Sequence, residues 1–209
     1  MKVLMINGSP KAAGCTATGL TEIGKVLEQE GIAWELYTIP TAPVRDCIGC
    51  GGCRQEGSQG CVFTDDCVNT LIAKARESDG FVFGTPVYYS HPSGRILSVL
   101  DRCFYAGSSA FTHKPAAAVA SARRAGTVTS FDVLNKYFTI NQMPIVSSTY
   151  WNEVHGNRSE EVLQDEEGLQ TMRNIGRNMA WLLKCIALGR ENGVPAPEAE
   201  RAFHTNFVR

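Results

Sequence analysis

The chain lacks any window of 18 consecutive apolar residues, so no helix in it is expected to cross a membrane. It also lacks a basic run or stripe. Lys and Arg number 20 against 21 Asp and Glu, a formal net charge of −1, and an electrostatic footprint for nucleic acid is excluded. Neither G-x4-G-K-[ST] nor G-x-G-x-x-G occurs, which removes a Walker A loop and the dinucleotide fingerprint. There is no internal repeat, no low-complexity segment, and no apolar leader with a cleavage site ahead of the first strand. A cytoplasmic location with no membrane and no nucleic-acid partner is the expectation. In that reducing compartment the 8 cysteines point to metal or redox roles more than to disulfides.

Four of those cysteines stand close together. Cys47, Cys50, Cys53 and Cys61 read C-x2-C-x2-C-x7-C, interleaved with Gly49, Gly51, Gly52, Gly57 and Gly60. A short glycine-permissive loop can curl several sulfurs toward one point, and a thiolate cage selects soft metal. C-x2-C-x2-C favours a [4Fe–4S] cluster over zinc, whose sites more often use two separated C-x2-C knuckles. A disulfide pair and unliganded thiols are the plainer alternatives. Cys67 is a less favoured substitute for Cys61 as fourth ligand.

Elsewhere short apolar runs alternate with helical windows, the pattern of a parallel α/β sheet. Strands are expected at Val3–Ile6, Ala33–Ile39, Phe81–Gly84, Ala116–Ser121 and Ile145–Thr149. Helices are expected at Ala17–Glu30, from Asp65 or Asp66 to Ser78, at Arg95–Tyr105 and Thr127–Thr139, and from Leu163 to Leu188. The result is a three-layer sandwich with a five-stranded parallel sheet, order 2-1-3-4-5, and helices on both faces. Residues 1–190 form this domain, with the cysteine-rich loop at 46–64. Residues 191–209 form a tail whose Phe203, Phe207 and Val208 suit packing on another subunit.

In such sheets ligands bind beyond the carboxyl ends of the strands. Three loops there carry suitable chemistry. The first follows the first strand and offers Ser9, Lys11, Cys15 and Thr16 at a helix N-terminus, where free N–H groups and the helix dipole favour phosphate. The second, with Pro86, Val87, Tyr88, Tyr89, Ser90 and Gly94, could hold a flat aromatic cofactor by main-chain amides and ring packing. The third has small residues, Ser121 and Gly126, that let backbone approach a ring edge, and cations, Arg123 and Arg124, that could balance an anionic ring.

Asn7-Gly8-Ser9-Pro10-Lys11 with Gly14 and Thr16 resembles the GSPR-x-x-GNT phosphate loop of the NADPH-dependent FMN reductases. Gly84-Thr85-Pro86-Val87-Tyr88-Tyr89 with Gly94 resembles their flavin-ring loop. With the compact cysteine motif added, the chain resembles the iron–sulfur flavoprotein branch of that flavodoxin-like superfamily over about residues 1 to 150. The resemblance implies a flavodoxin-like fold, bound FMN, a [4Fe–4S] cluster near the flavin and a homodimer or homotetramer. Lys11 stands where the family has arginine, keeping the charge but losing the bidentate fork. Cys15 replaces the family's asparagine.

The functional expectation is an FMN-dependent oxidoreductase or electron-transfer flavoprotein, exchanging electrons with a small-molecule or protein donor and acceptor. The alternatives are a cluster-free NAD(P)H-dependent FMN or quinone reductase and a redox- or metal-responsive binding protein. Of the remaining candidates, Cys67 is placed where a helix N-terminus would lower its pKa. Cys103 and Cys185 are read as core. His155 and His91 are read first as structural, with a proton-donor role for His155 as the alternative. The segment Tyr150–Gly156 is a cover for the flavin or a subunit contact.

Overall fold

The computed structural model describes residues 1–207, so Val208 of the tail lies outside the described residues. Among the described residues six strands and six α-helices follow in chain order: β1 (Lys2–Asn7), α1 (Cys15–Gln29), β2 (Ala33–Thr38), α2 (Val68–Arg76), β3 (Gly80–Tyr88), β4 (His91–Pro92), α3 (Gly94–Gly107), β5 (Ala116–Ala122), α4 (Thr127–Ile140), β6 (Glu153–His155), α5 (Ser159–Val162) and α6 (Glu166–Glu191). The sheet runs β2-β1-β3-β5-β6, all parallel, with β4 pairing antiparallel to the end of β3.

The two-residue period of a strand divides the core between the faces. Leu4 and Ile6 of β1, Phe81 and Phe83 of β3 and Ala116 and Ala118 of β5 face α2, α3 and α4, packing with Leu71, Val99, Leu100 and Leu134. Val3, Met5, Val82, Ala117 and Val119 point the other way, onto Leu20, Ile23 and Leu27 of α1 and Met172, Ile175 and Met179 of α6. Near-continuous apolar strands are what a sheet covered on both faces requires.

Two elements depart from the sequence expectation. The fifth strand does not lie at Ile145–Thr149. Ile145 makes only an isolated parallel bridge with Ala116, and the edge of the sheet is β6 at Glu153–His155. Beyond that bridge the backbone and hydroxyls turn to α6 instead of to β5. Asn178 Nδ2 donates to the Ser147 carbonyl, Ser148 Oγ to the Thr171 carbonyl and Asn174 Nδ2 to Thr149 Oγ1. The second departure is β3, which continues four residues past Gly84 and turns through Tyr89 and Ser90 into β4. Both turn residues are left-handed, φ 52° and 57°, as a two-residue hairpin turn of primed type requires.

Candidate functional site

The carboxyl ends of β1, β3 and β5 are knitted together by buried polar contacts. Gly8 N donates to the Gly84 carbonyl at 2.8 Å, and Ser93 Oγ donates to the Gly8 carbonyl at 3.0 Å. Ser93 also caps α3, accepting from Ile96 N, while its own N–H donates to Thr85 Oγ1. Thr16 Oγ1 and Ser121 Oγ lie 2.7 Å apart, both buried, joining the start of α1 to the end of β5. The first loop is held from within: Ser9 N donates to Asn7 Oδ1 and Lys11 N to Ser9 Oγ.

At its end α1 begins on Gly14 with no side-chain cap, so the first turn's N–H groups have neither an intrahelical acceptor nor a capping oxygen. Ser9 and Thr16 are buried beside that end, and Lys11 stands exposed over it. Cys15 Sγ donates to the Gly156 carbonyl at 3.4 Å, and burial pushes its thiol pKa up. Pro86 and Val87 are half-buried at the end of β3, while Tyr88, Tyr89, Ser90 and Gly94 are exposed. Gly126, at φ +89°, leaves room for the hairpin: a Cβ there would lie 2.6 Å from Ser90 Cα. Arg123 and Arg124 are exposed beyond Ser121. The three loops therefore meet, and the pairing of Thr16 with Ser121 binds two of them directly.

The cysteine loop forms a second centre. Cys47, Cys50, Cys53 and Cys61 line one cavity of about 520 Å³, walled on the far side by Asp101, Arg102 and Tyr105 of α3. Gly49 and Gly51 take left-handed backbone, φ 64° and 72°, which turns the chain between the first three cysteines. Among the described residues no three His, Cys, Asp or Glu side chains gather closely enough to hold a single metal ion, and all eight cysteines are free. Asn69 of α2 anchors Cys61 on both sides, accepting from Cys61 N at 2.8 Å and donating to the Cys61 carbonyl at 2.9 Å and the Phe63 carbonyl at 3.0 Å.

Cys67 does not line this cavity. It precedes α2 with 7% exposure, and burial first, then the Asp66 carboxylate, raise its thiol pKa, opposite to the lowering expected from a helix N-terminus. The Asp66 carboxylate does serve the helix start, accepting from Val68 N at 3.1 Å, but it also faces Arg102. Cys103 is core, whereas Cys185 is exposed on α6 and the core reading is corrected there. At His155 the backbone N–H donates to Asp165 Oδ2 at 2.7 Å, and the ring Nδ1 lies 3.8 Å from the same oxygen.

Arg102, Asn69 and Arg95 were not anticipated. Arg102 is 1% exposed and bridges to Asp66 of the cysteine segment. Burial alone pulls its pKa down, but the hydrogen bonds to Asp66 and Cys61 more than offset this and raise it. Arg95 reaches the carbonyls of Pro40, Thr41 and Ala42 and ties the start of the long loop to α3. A signal for Arg102 exists in the helical period: it lies three residues after Val99, at the border of the face turned to the core.

A family model described as NADPH-dependent FMN reductase matches residues 1–157. The chain belongs to that family. This family member is 30% identical over 194 residues to an iron-sulfur flavoprotein of Methanocaldococcus jannaschii, across 89% of this chain and 99% of that one. Among solved structures, a flavone reductase superposes with a TM-score of 0.67 at 18% identity, over 90% of this chain and 64% of its own. A flavodoxin from the domain Archaea gives 0.60 at 12% identity, over 88% and 99%. At such identities the structural likeness shows the fold alone, and that fold is flavodoxin-like. This NADPH-dependent FMN reductase family member is a flavin-dependent oxidoreductase. No helix among the described residues is long and apolar enough to cross a membrane.

Proposed function

We propose that the chain holds FMN across the three joined loops, carries a [4Fe–4S] cluster on Cys47, Cys50, Cys53 and Cys61, and passes electrons between the two. The observation that carries the reading is that all four motif cysteines line one cavity. The donor set fits the group: it is wholly sulfur, and the left-handed turns at Gly49 and Gly51 have open space beside them. Thiolates on a cubane hold different irons, so they surround it and need not converge as the ligands of one ion do.

Ser9, Lys11 and Thr16 with the uncapped start of α1 suit the FMN phosphate, where Cys15 contributes its backbone N–H. Pro86, Val87, Tyr88, Tyr89, Ser90 and Gly94 suit one edge of the ring, and Ser121, Arg123 and Gly126 the other. When bound, the flavin exchanges two electrons as a hydride or singly, and the cluster exchanges one at a time. The chain's part is to orient and shield. α3 starts at the flavin loops and reaches the cysteine cavity at Arg102, eight residues later, about 12 Å along the helix axis.

The donor and acceptor are small molecules or proteins, and eight free thiols suit a reducing cytoplasm. Phe203 and Phe207, at 90% and 93% exposure, suit a tail that packs on another subunit of a homodimer or homotetramer. A second reading, a cluster-free NAD(P)H-dependent FMN or quinone reductase, is favoured by the absence of three gathered metal donors among the described residues. Chromatography of the released flavin, with visible spectra and low-temperature EPR of anaerobically prepared protein, separates the two. FMN with an iron–sulfur signal is expected; FMN without one selects the second reading, and FAD as the main flavin overturns the phosphate-loop assignment.

A further inference from the structure

Among the described residues Arg102 is the largest fully buried side chain, and every N–H of its guanidinium has a partner. Nη1 serves the Asp66 carboxylate and, at 3.1 Å, the Arg45 carbonyl. Nη2 serves the other Asp66 oxygen at 3.2 Å and the Phe63 carbonyl at 3.5 Å. That leaves Nε–H, which points at Cys61 Sγ at 3.3 Å. The planar fork can be satisfied in this way in one orientation only, so Asp66 and the two carbonyls fix where the last donor aims.

Burying an ion pair is a costly way to fill a core position, since well-packed apolar residues of similar volume often serve stability as well or better. What an apolar residue cannot supply is a hydrogen bond and a cationic group at a cavity-lining sulfur. We propose that Arg102 is a positioning residue for the cluster: it holds Cys61 in place and raises the cluster's reduction potential. The inference rests on the cluster reading above. Adding one electron makes the cluster and its thiolates more negative, and a donor aimed at a ligand sulfur stabilises that reduced state, as hydrogen bonds to cluster sulfurs do generally. Asp66 acts through Arg102, and Asn69 fixes the Cys61 backbone so that the contact reports on the sulfur alone.

The test uses full-length protein prepared anaerobically with its flavin, as wild type, as Arg102→Lys, and as the paired Asp66→Asn, Arg102→Met, which leaves no orphan buried charge. Iron, sulfide and flavin per chain are measured first, then the cluster's midpoint potential by EPR-monitored titration with dithionite. In the paired variant, FMN should stay at the wild-type level. Its cluster, if loaded, should be at least about tenfold harder to reduce, about 59 mV lower for a one-electron couple. Loss of the cluster with FMN retained also supports the proposal, because Arg102 is no ligand. A cluster with wild-type potential and occupancy in the paired variant overturns it. If that variant does not fold, Arg102→Lys decides on the same readout, with a lowered potential expected and an unchanged one contrary. Wild-type protein without iron and sulfide removes the cluster reading itself, and the role of Arg102 with it.

Discussion

The three joined loops at the ends of β1, β3 and β5 and the cysteine loop beside α3 are built on opposite principles. Around β1, β3 and β5 the polar atoms are buried and satisfied by one another, as in the contact of Thr16 with Ser121 and the Ser93 bridge to Gly8. The strands set those positions, so the site is formed before any ligand arrives. The cysteine loop has only a single short 3₁₀ turn of its own, at Gly52–Arg54, and Cys50 is exposed. It is tied to the domain by side chains of the helices: Asn69 of α2, and Arg95 and Arg102 of α3. With rigid joined loops on one side and a tethered, glycine-turned cysteine loop on the other, the proposed flavin and cluster should be lost separately.

The sharpest way to break that comparison is Cys50→Ser. It should abolish the cluster's absorbance and EPR signal entirely while flavin content stays at the wild-type level. Joint loss of both cofactors would show that the loop supports the flavin site after all. Next in size, Ser9→Ala with Thr16→Ala removes two charge-assisted hydrogen bonds to phosphate at roughly 1.5–3 kcal/mol each. FMN affinity, read by fluorescence titration of the apoprotein, should fall at least about 100-fold. Unchanged affinity would put the phosphate elsewhere.

A smaller effect is expected at the hairpin. Gly126→Ala forces a Cβ into left-handed backbone and against Ser90, and should cost about 1–2 kcal/mol in chemical unfolding. FMN affinity should weaken with it, since the hairpin must shift, whereas the cluster should be untouched.

The smallest concerns the frame itself. The Lys2 and Lys74 ammonium groups, at 2.8 and 2.5 Å, hold the Glu35 carboxyl below its usual range and link β1, β2 and α2. A depressed pKa stabilises the fold above the unfolded-state value and is lost as pH falls through the folded one. Glu35→Gln should therefore cost at most about 1 kcal/mol near neutrality. That difference should fade as the pH falls through the unfolded and then the folded pKa, and be gone once both forms are protonated. A difference that persists in acid would mean that packing, not charge, is what the substitution disturbs.

Much of this was legible because the signals are local. The apolar runs at residues 3–6 of β1, 81–83 of β3 and 116–120 of β5 place the sheet, and the motif loops follow directly from strand ends. The fifth strand was misplaced because β6 is three residues long and carries Glu153 and His155, while the apolar pair Ile145-Val146 reads as a strand but turns its following residues to α6. The hairpin was missed because Tyr89 and Ser90 are not residues that advertise left-handed backbone. Arg102 needed tertiary information. Its partners lie 36 to 57 positions away, and only the fold brings Cys61, Asp66 and Arg45 to one guanidinium.

Whether one subunit holds two redox centres is decided by the stoichiometry of iron, acid-labile sulfide and FMN in protein made and kept without oxygen. About four iron, about four sulfide and about one FMN per chain are expected. FMN at that level with about zero iron and sulfide would contradict the two-centre reading.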